Sequence, residues 1–244
     1  MRIAAFGIHP DDVELGCGGT VILAARQGNE VTVVDLSEGR ASSNGTPEER
    51  VAEAAAAAAV MGVKERINIG LPDTRIRGED ASQTAAVVAC LRDIRPHVVI
   101  TSSSDDPHPD HASGGRLIER ALYLSGIHGY EPDREVWPVP HVLIYAGRRE
   151  IEPHIVVDVT TTHATKIKAI RAHASQFVPG EGRKPTPLNA AGFIEVIEAR
   201  SRIAGRMINV RFGEGFRTLK PVALSDLNLF ARPTARGKPI QRPK

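Results

Sequence analysis

The sequence predicts an α/β fold of the Rossmann-like, doubly wound kind, a mostly parallel sheet with helices on both faces. Two observations predict it. Short apolar runs at residues 3–8, 30–36, 66–71 and 97–101 alternate with segments carrying helix signals, the order expected when parallel strands are joined by crossover helices. Turns rich in histidine and aspartate follow the first and fourth of these runs, at the strand ends where open α/β sheets bind ligands.

The elements follow in order. The first run enters His9-Pro10-Asp11-Asp12-Val13-Glu14, and Gly16-Cys17-Gly18-Gly19 opens a helix that ends near Gly28, a residue suited to a helix C-terminus. Residues 30–36 are β-branched and short, a buried second strand. After a polar loop at 37–45, Thr46-Pro47-Glu48-Glu49 forms a capping box with proline in the first helical position. The alanines at 54–59 carry that helix to about Met61. Residues 66–71 form a third strand closed by Pro72-Asp73, a helix spans about 81–94, and 97–101 is the fourth strand. A loop dense in Ser, Asp, His and Pro occupies 102–111, and a helix is expected from Ala112 to about Ser125. Beyond it, 142–145 and 155–159 read as strands. Residues 161–177 and 189–204 read as helices, separated by a Gly/Pro-rich loop at 179–188. One domain is expected over residues 1–230, with a flexible, basic, Pro-rich tail at 231–244.

Composition narrows the class. The chain has 244 residues, 41% of them hydrophobic, enough for one α/β domain with its own core. A formal net charge of +2 does not point to nucleic acid or a membrane surface. Aromatic residues at 4% give few platforms for stacking bases. Two cysteines, Cys17 and Cys90, imply no disulfide framework and a reducing compartment. No apolar run approaches a membrane span, and residues 2–8 read as a strand rather than a signal peptide. The expectation is a cytoplasmic protein acting on a small molecule.

His9, Asp12 and His111 supply two imidazoles and a carboxylate, a donor set that suits a catalytic zinc with one position left open. Asp11, next in the chain to a ligand, is placed to take a proton from water that such a cation acidifies. His108, oriented by Asp110, is read as a cation that stabilises an oxyanion. Taken alone, His-Pro-Asp-Asp is more often a plain turn. Two such clusters at two strand ends shift the reading to a metal site. Gly16-Cys17-Gly18-Gly19 lacks the G-x-G-x-x-G spacing, and the carboxylates before it would repel a pyrophosphate. A nucleotide-binding module is therefore the weaker alternative.

The leading His9-Pro10-Asp11-Asp12 and the later His108-Pro109-Asp110-His111 resemble the marks of the LmbE-like (PIG-L) family of zinc-dependent N-acetylglucosaminide deacetylases. Asp35-Leu36-Ser37-Glu38, Ser42-Ser43-Asn44-Gly45-Thr46, Leu71-Pro72-Asp73, Ser175-Gln176-Phe177, Thr186-Pro187-Leu188 and Glu214-Gly215-Phe216 are similar to its bacillithiol-pathway branch, which deacetylates N-acetylglucosaminyl malate. The resemblance implies zinc ligands at His9, Asp12 and His111, a base at Asp11, an oxyanion-stabilising histidine at His108 and a carboxylate supporting it at Asp110. Arg50 and Asn44 are the implied substrate contacts, the first through a guanidinium fork that suits a carboxylate or sugar hydroxyl. It further implies one zinc ion per chain, replaceable by iron(II), and a homo-oligomer, trimer or hexamer. Deacetylation of another aminosugar conjugate is the alternative. Two positions depart from the branch: Pro107 stands where relatives carry arginine, and Phe193 where they carry tyrosine. Both remove polar groups from the substrate side.

Overall fold

A computed structural model describes residues 1–131 and 133–223. The strands are β1 (Arg2–Gly7), β2 (Glu30–Ser37), β3 (Glu65–Leu71), β4 (Val98–Ser102), β5 (His141–Tyr145), β6 (Ile155–Asp158) and β7 (Gly213–Thr218). The helices are α1 (Asp12–Arg26), α2 (Pro47–Met61), α3 (Ala81–Ile94), α4 (Pro109–Leu124), α5 (His163–Ala172), α6 (Ala174–Phe177) and α7 (Phe193–Met207). They build one seven-stranded sheet in the order β3-β2-β1-β4-β5-β7-β6. Strands β1 to β5 pair in parallel, and β7 runs antiparallel to both β5 and β6. The mostly parallel α/β architecture read from the sequence is the one observed.

Side-chain alternation along the strands divides the core between two faces. Ala4, Phe6, Ile8, Val34 and Leu36 pack against α3 and α4. Ile3, Ala5, Val31 and Val33 face α1, Met61 of α2 and Ala169 of α5. The chain leaves β1 toward β2 on one side and toward β4 on the other. This reversal opens a crevice at the carboxyl ends of those two strands.

Local chemistry sets most helix ends. Thr46 and Glu49 form the expected reciprocal capping box of α2, and Gly62 closes that helix in the left-handed region. Helix α4 starts at Pro109, not Ala112. The His108 side chain accepts from the Asp110 amide, and proline fills the first helical position. Asp110 and His111 therefore belong to a helical first turn rather than a loop. The helix expected over 161–177 divides at His173 into α5 and α6. The one expected over 189–204 forms as Phe193–Met207.

Helix α1 is interrupted at Cys17 (φ −144°, ψ 18°). Just past the break, the amides of Gly19 and Thr20 donate to the Glu214 carboxylate on β7, at 2.9 and 2.7 Å. Lys166 of α5 pairs with the same carboxylate at 2.6 Å. The glycines here serve close packing, as expected: a Cβ at Gly16 would lie 2.2 Å from the Tyr145 ring. The expected domain end at 230 and the tail at 231–244 lie outside the described residues.

Candidate metal centre and its cavity

Two βα junctions meet at the crevice, one between β1 and α1, the other between β4 and α4. They bring His9, Asp12 and His111 together, with one donor atom of each lying within 4.8 Å of the others. His9 Nδ1 lies 3.3 Å from His111 Nε2 and 3.7 Å from Asp12 Oδ2. His111 Nε2 is 3.5 Å from Asp12 Oδ1. The amides of Ile8 and His9 donate to Asp12 Oδ2 at 3.0 and 2.9 Å, which fixes the carboxylate and leaves Oδ1 turned to the imidazoles. Burial alone would raise the Asp12 carboxyl, but the charges of His111 and His9 and these two amides hold it below its ordinary value.

Each imidazole has a carboxylate behind it. His9 Nε2 lies 3.2 Å from Asp73 Oδ1 and 3.6 Å from Asp110 Oδ2, so the proton belongs on Nε2 and Nδ1 is left as a donor. Burial would lower His9, yet the Asp110 and Asp73 carboxylates beside Nε2 and the charges of Asp12 and Asp11 push it up to about 10. The hydrogen bond to His9 also holds Asp73 well below the usual carboxylate range, against the pull of burial. Behind His111, Asp106 Oδ1 lies 3.7 Å from Nδ1. Asp106 also accepts the His108 amide at 2.8 Å and the Arg148 amide at 2.7 Å, so one carboxylate ties the start of α4 to the loop after β5.

Asp11, buried to 6% exposure, sits between the donor set and Arg50. Burial raises its carboxyl to about 6, with Arg50 opposing and Asp12 adding to the rise. The Arg50 guanidinium lies 3.5 Å from Asp11 Oδ2 and donates to the carbonyls of Pro10 at 3.2 Å and Gly39 at 3.4 Å. Those contacts make Arg50 a brace for the His9–Asp12 turn, although it still lines the cavity. Asn44, the other expected substrate contact, is spent elsewhere. Its side-chain amide donates to the Lys184 carbonyl at 2.9 Å and accepts the Lys184 amide at 2.8 Å, clamping the loop at 179–188 to the loop after β2.

Two expectations about the second cluster change. The Asp110 carboxylate faces Thr74, whose amide donates to it at 2.7 Å, and His9. Only the Asp110 main-chain amide reaches His108, donating to Nδ1 at 3.2 Å. That bond makes Nδ1 an acceptor and puts the proton on Nε2. Burial, with His111 and His9 adjacent, lowers His108 below its ordinary value, so the ring is a neutral donor rather than a cation.

These groups open into a cavity of about 530 Å³. Ser42, Ser43, Gln176 and Thr186 give it polar lining, and Leu15, Leu188, Phe193 and Val196 give it an apolar side. Sequence reasoning missed Asp73, although its place directly after a strand end was a signal. It had no means of separating Asp106, buried behind His111, from its neighbour Asp105, which pairs with Arg149 on the surface.

This sheet, with a two-histidine, one-carboxylate cluster at its switch point, defines the class. A family model for "PIG-L: GlcNAc-PI de-N-acetylase" matches residues 4–122, the segment holding both clusters, and the chain belongs to that family. Among solved structures, a conserved protein of Thermus thermophilus is similar at TM-score 0.83 and 32% identity, over 91% of this chain and 96% of that one. A 1D-myo-inositol 2-acetamido-2-deoxy-alpha-D-glucopyranoside deacetylase of Salinispora arenicola is 27% identical over 233 residues, covering 72% of this chain and 76% of the relative. A probable N-acetyl-alpha-D-glucosaminyl L-malate deacetylase 2 of Bacillus cereus is 29% identical over 183 residues, covering 69% and 80%. Among the described residues, no helix is long and apolar enough to cross a membrane.

Proposed function

We propose that this chain is a metal-dependent amide hydrolase that removes the acetyl group from a small N-acetylglucosaminide. The observation that carries the reading is the set His9, Asp12 and His111, gathered within 4.8 Å beside Asp11 and His108 in one cavity. The residues fit a divalent cation. Four carboxylates, those of Asp110, Asp73, Asp12 and Asp11, surround His9 closely enough to draw a proton onto it, a surplus of negative charge that a cation neutralises. His9, Asp12 and His111 would hold that ion, and nitrogen and oxygen donors of this kind suit zinc, with iron(II) the alternative. When bound, the ion supplies Lewis acidity toward an acyl oxygen and toward water.

The chain's own groups do the rest. Asp11, held in place by Arg50, takes a proton from the attacking water and returns one to the leaving amine. His108 donates through Nε2–H to the oxyanion that develops on the acetyl carbonyl oxygen as water attacks the carbon. Ser42, Ser43 and Thr186 offer hydroxyl oxygens to the sugar and Gln176 its amide oxygen, the Gln176 nitrogen being engaged by the Asn44 carbonyl and Ser175.

The specific substrate proposed first is N-acetylglucosaminyl malate, in bacillithiol biosynthesis, supported by the motif resemblance and by the Bacillus cereus relative. The inositol conjugate named for the Salinispora relative is the second reading. A cytoplasmic homo-oligomer, trimer or hexamer, is proposed on the resemblance alone. The test is acetate release from a panel of N-acetylglucosaminides by the zinc-loaded protein. Asp11→Ala should lower kcat by at least about a hundredfold while the metal stays bound, and His111→Ala should lose the metal. Full activity in metal-stripped protein, or acetate released from no member of the panel, refutes the proposal.

A further inference from the structure

Helix α7 turns one face to the cavity. Phe193, Val196, Ile197 and Arg200 all line it, at the i, i+3, i+4 and i+7 spacing of a single helical stripe. Leu15 of α1 and Leu188 extend the stripe. Leu15 lies one helical turn beyond Asp11 and Asp12, so the apolar wall begins next to the reacting groups. Part of this wall is ordinary core. Ile197 is buried, and Phe193 stacks on Phe177 with ring centroids 5.6 Å apart. Val196 is different: it is 53% exposed and borders the cavity. The one cation of the stripe is already engaged. Arg200 pairs with Glu150 at 2.7 Å and donates to the carbonyls of Gly147 and Arg148.

We infer that this α7 wall is an apolar subsite for the substituent on the sugar's anomeric carbon, and that it selects alkyl or aryl aglycones. The inference rests on the deacetylase reading above, but it replaces malate, whose two carboxylates an apolar wall does not suit, as the preferred aglycone. In an N-acetylglucosaminide the acetamido carbon adjoins the anomeric carbon, so an aglycone lies immediately beside the hydrolysed bond. Polar lining at Ser42, Ser43, Gln176 and Thr186 suits the sugar hydroxyls, which leaves the apolar side for the aglycone. Phe193 adds to that side an aromatic ring with no polar group.

The test compares methyl, benzyl and malyl glycosides of N-acetylglucosamine for acetate release by the zinc-loaded protein. In parallel, calorimetry measures binding of methyl and benzyl glucosaminides, which are products and are not turned over. Covering one phenyl ring should favour benzyl over methyl by about tenfold or more in both kcat/KM and Kd. Val196→Ser should shrink that ratio, and because the residue is exposed the variant should fold. Equal values for methyl and benzyl, or no detectable binding of either, overturns the inference. So does a malyl glycoside preferred over the benzyl one, which would place the aglycone against Arg148, a cation that also lines the cavity. If benzyl glucosaminide binds selectively but no glycoside releases acetate, the subsite stands and the deacetylase reading fails.

Discussion

Glu214→Gln should be among the most destabilising single changes available outside the cavity. The carboxylate is nearly fully buried, with the Glu214 and Lys166 side chains each 3% exposed. It accepts two amides at the break in α1 and an ammonium from α5. Glutamine keeps the shape but loses the charge, and one of its two terminal atoms no longer accepts. Lys166 is then a buried cation without a counter-charge, and one α1 amide loses its acceptor. Removing one partner of a buried pair costs about 3–5 kcal/mol. In a chain of this size, at about 2–4 °C per kcal/mol, that is about 6–20 °C in Tm. Thermal and urea melts of the wild type, Glu214→Gln, Lys166→Met and the double variant give the coupling directly. The double variant should be less damaged than the sum of the singles. A Glu214→Gln cost below about 1 kcal/mol, or strictly additive singles, would refute the account of this carboxylate as the counter-charge of both partners.

Other outcomes follow from the same geometry. Asp73→Asn should weaken metal affinity by about 10–100-fold, because the ring that offers Nδ1 loses its orienting partner; competition with a chelating dye reads this out, and unchanged affinity removes Asp73 from that role. Asn44→Ala should cost about 1–2 kcal/mol through two lost hydrogen bonds to Lys184 and leave kcat largely intact; a hundredfold loss of kcat with an unchanged melt would instead put Asn44 on the substrate. Glu14 provides a pH signature. Burial would raise its carboxyl, but the Arg66 charge and the His173 hydrogen bond bring it to about 2 against an ordinary 4.5. Its folded value is depressed, so its contribution of about 3 kcal/mol is present above pH 4.5 and drains away as pH falls toward 2. Urea midpoints measured downward from about pH 5 should fall faster in the wild type than in Glu14→Gln; parallel profiles would refute it.

Much of the fold was legible because parallel strands buried on both faces are written as continuous apolar runs. Strand β7 was not. Gly213-Glu214-Gly215-Phe216-Arg217-Thr218 carries two glycines and two charges, and becomes a strand because β5 and β6 flank it. Both halves of the candidate metal centre could be read from where they fall after β1 and β4. The partners of the individual side chains could not, since Asp73, Asp106 and Asp110 are interchangeable in sequence. Tertiary placement sends Asp73 and Asp110 to His9 and Asp106 to His111. Arg50 and Asn44 illustrate the same limit: both are polar residues near the cavity, yet the first braces the His9–Asp12 turn and the second pins a loop.

The placement of β7 bears on how the chain is made. Strand β7 comes last among the described strands but fills a slot between β5 and β6, and its glutamate caps a break in the first helix. During synthesis on the ribosome, β5 and β6 would emerge early and wait with unpaired edges, and the second half of α1 would wait for its counter-charge. Such long-range closure slows folding and leaves strand edges open to wrong partners. Nascent chains stalled before residue 213 should therefore hold an incomplete sheet and depend on chaperones to keep it from aggregating.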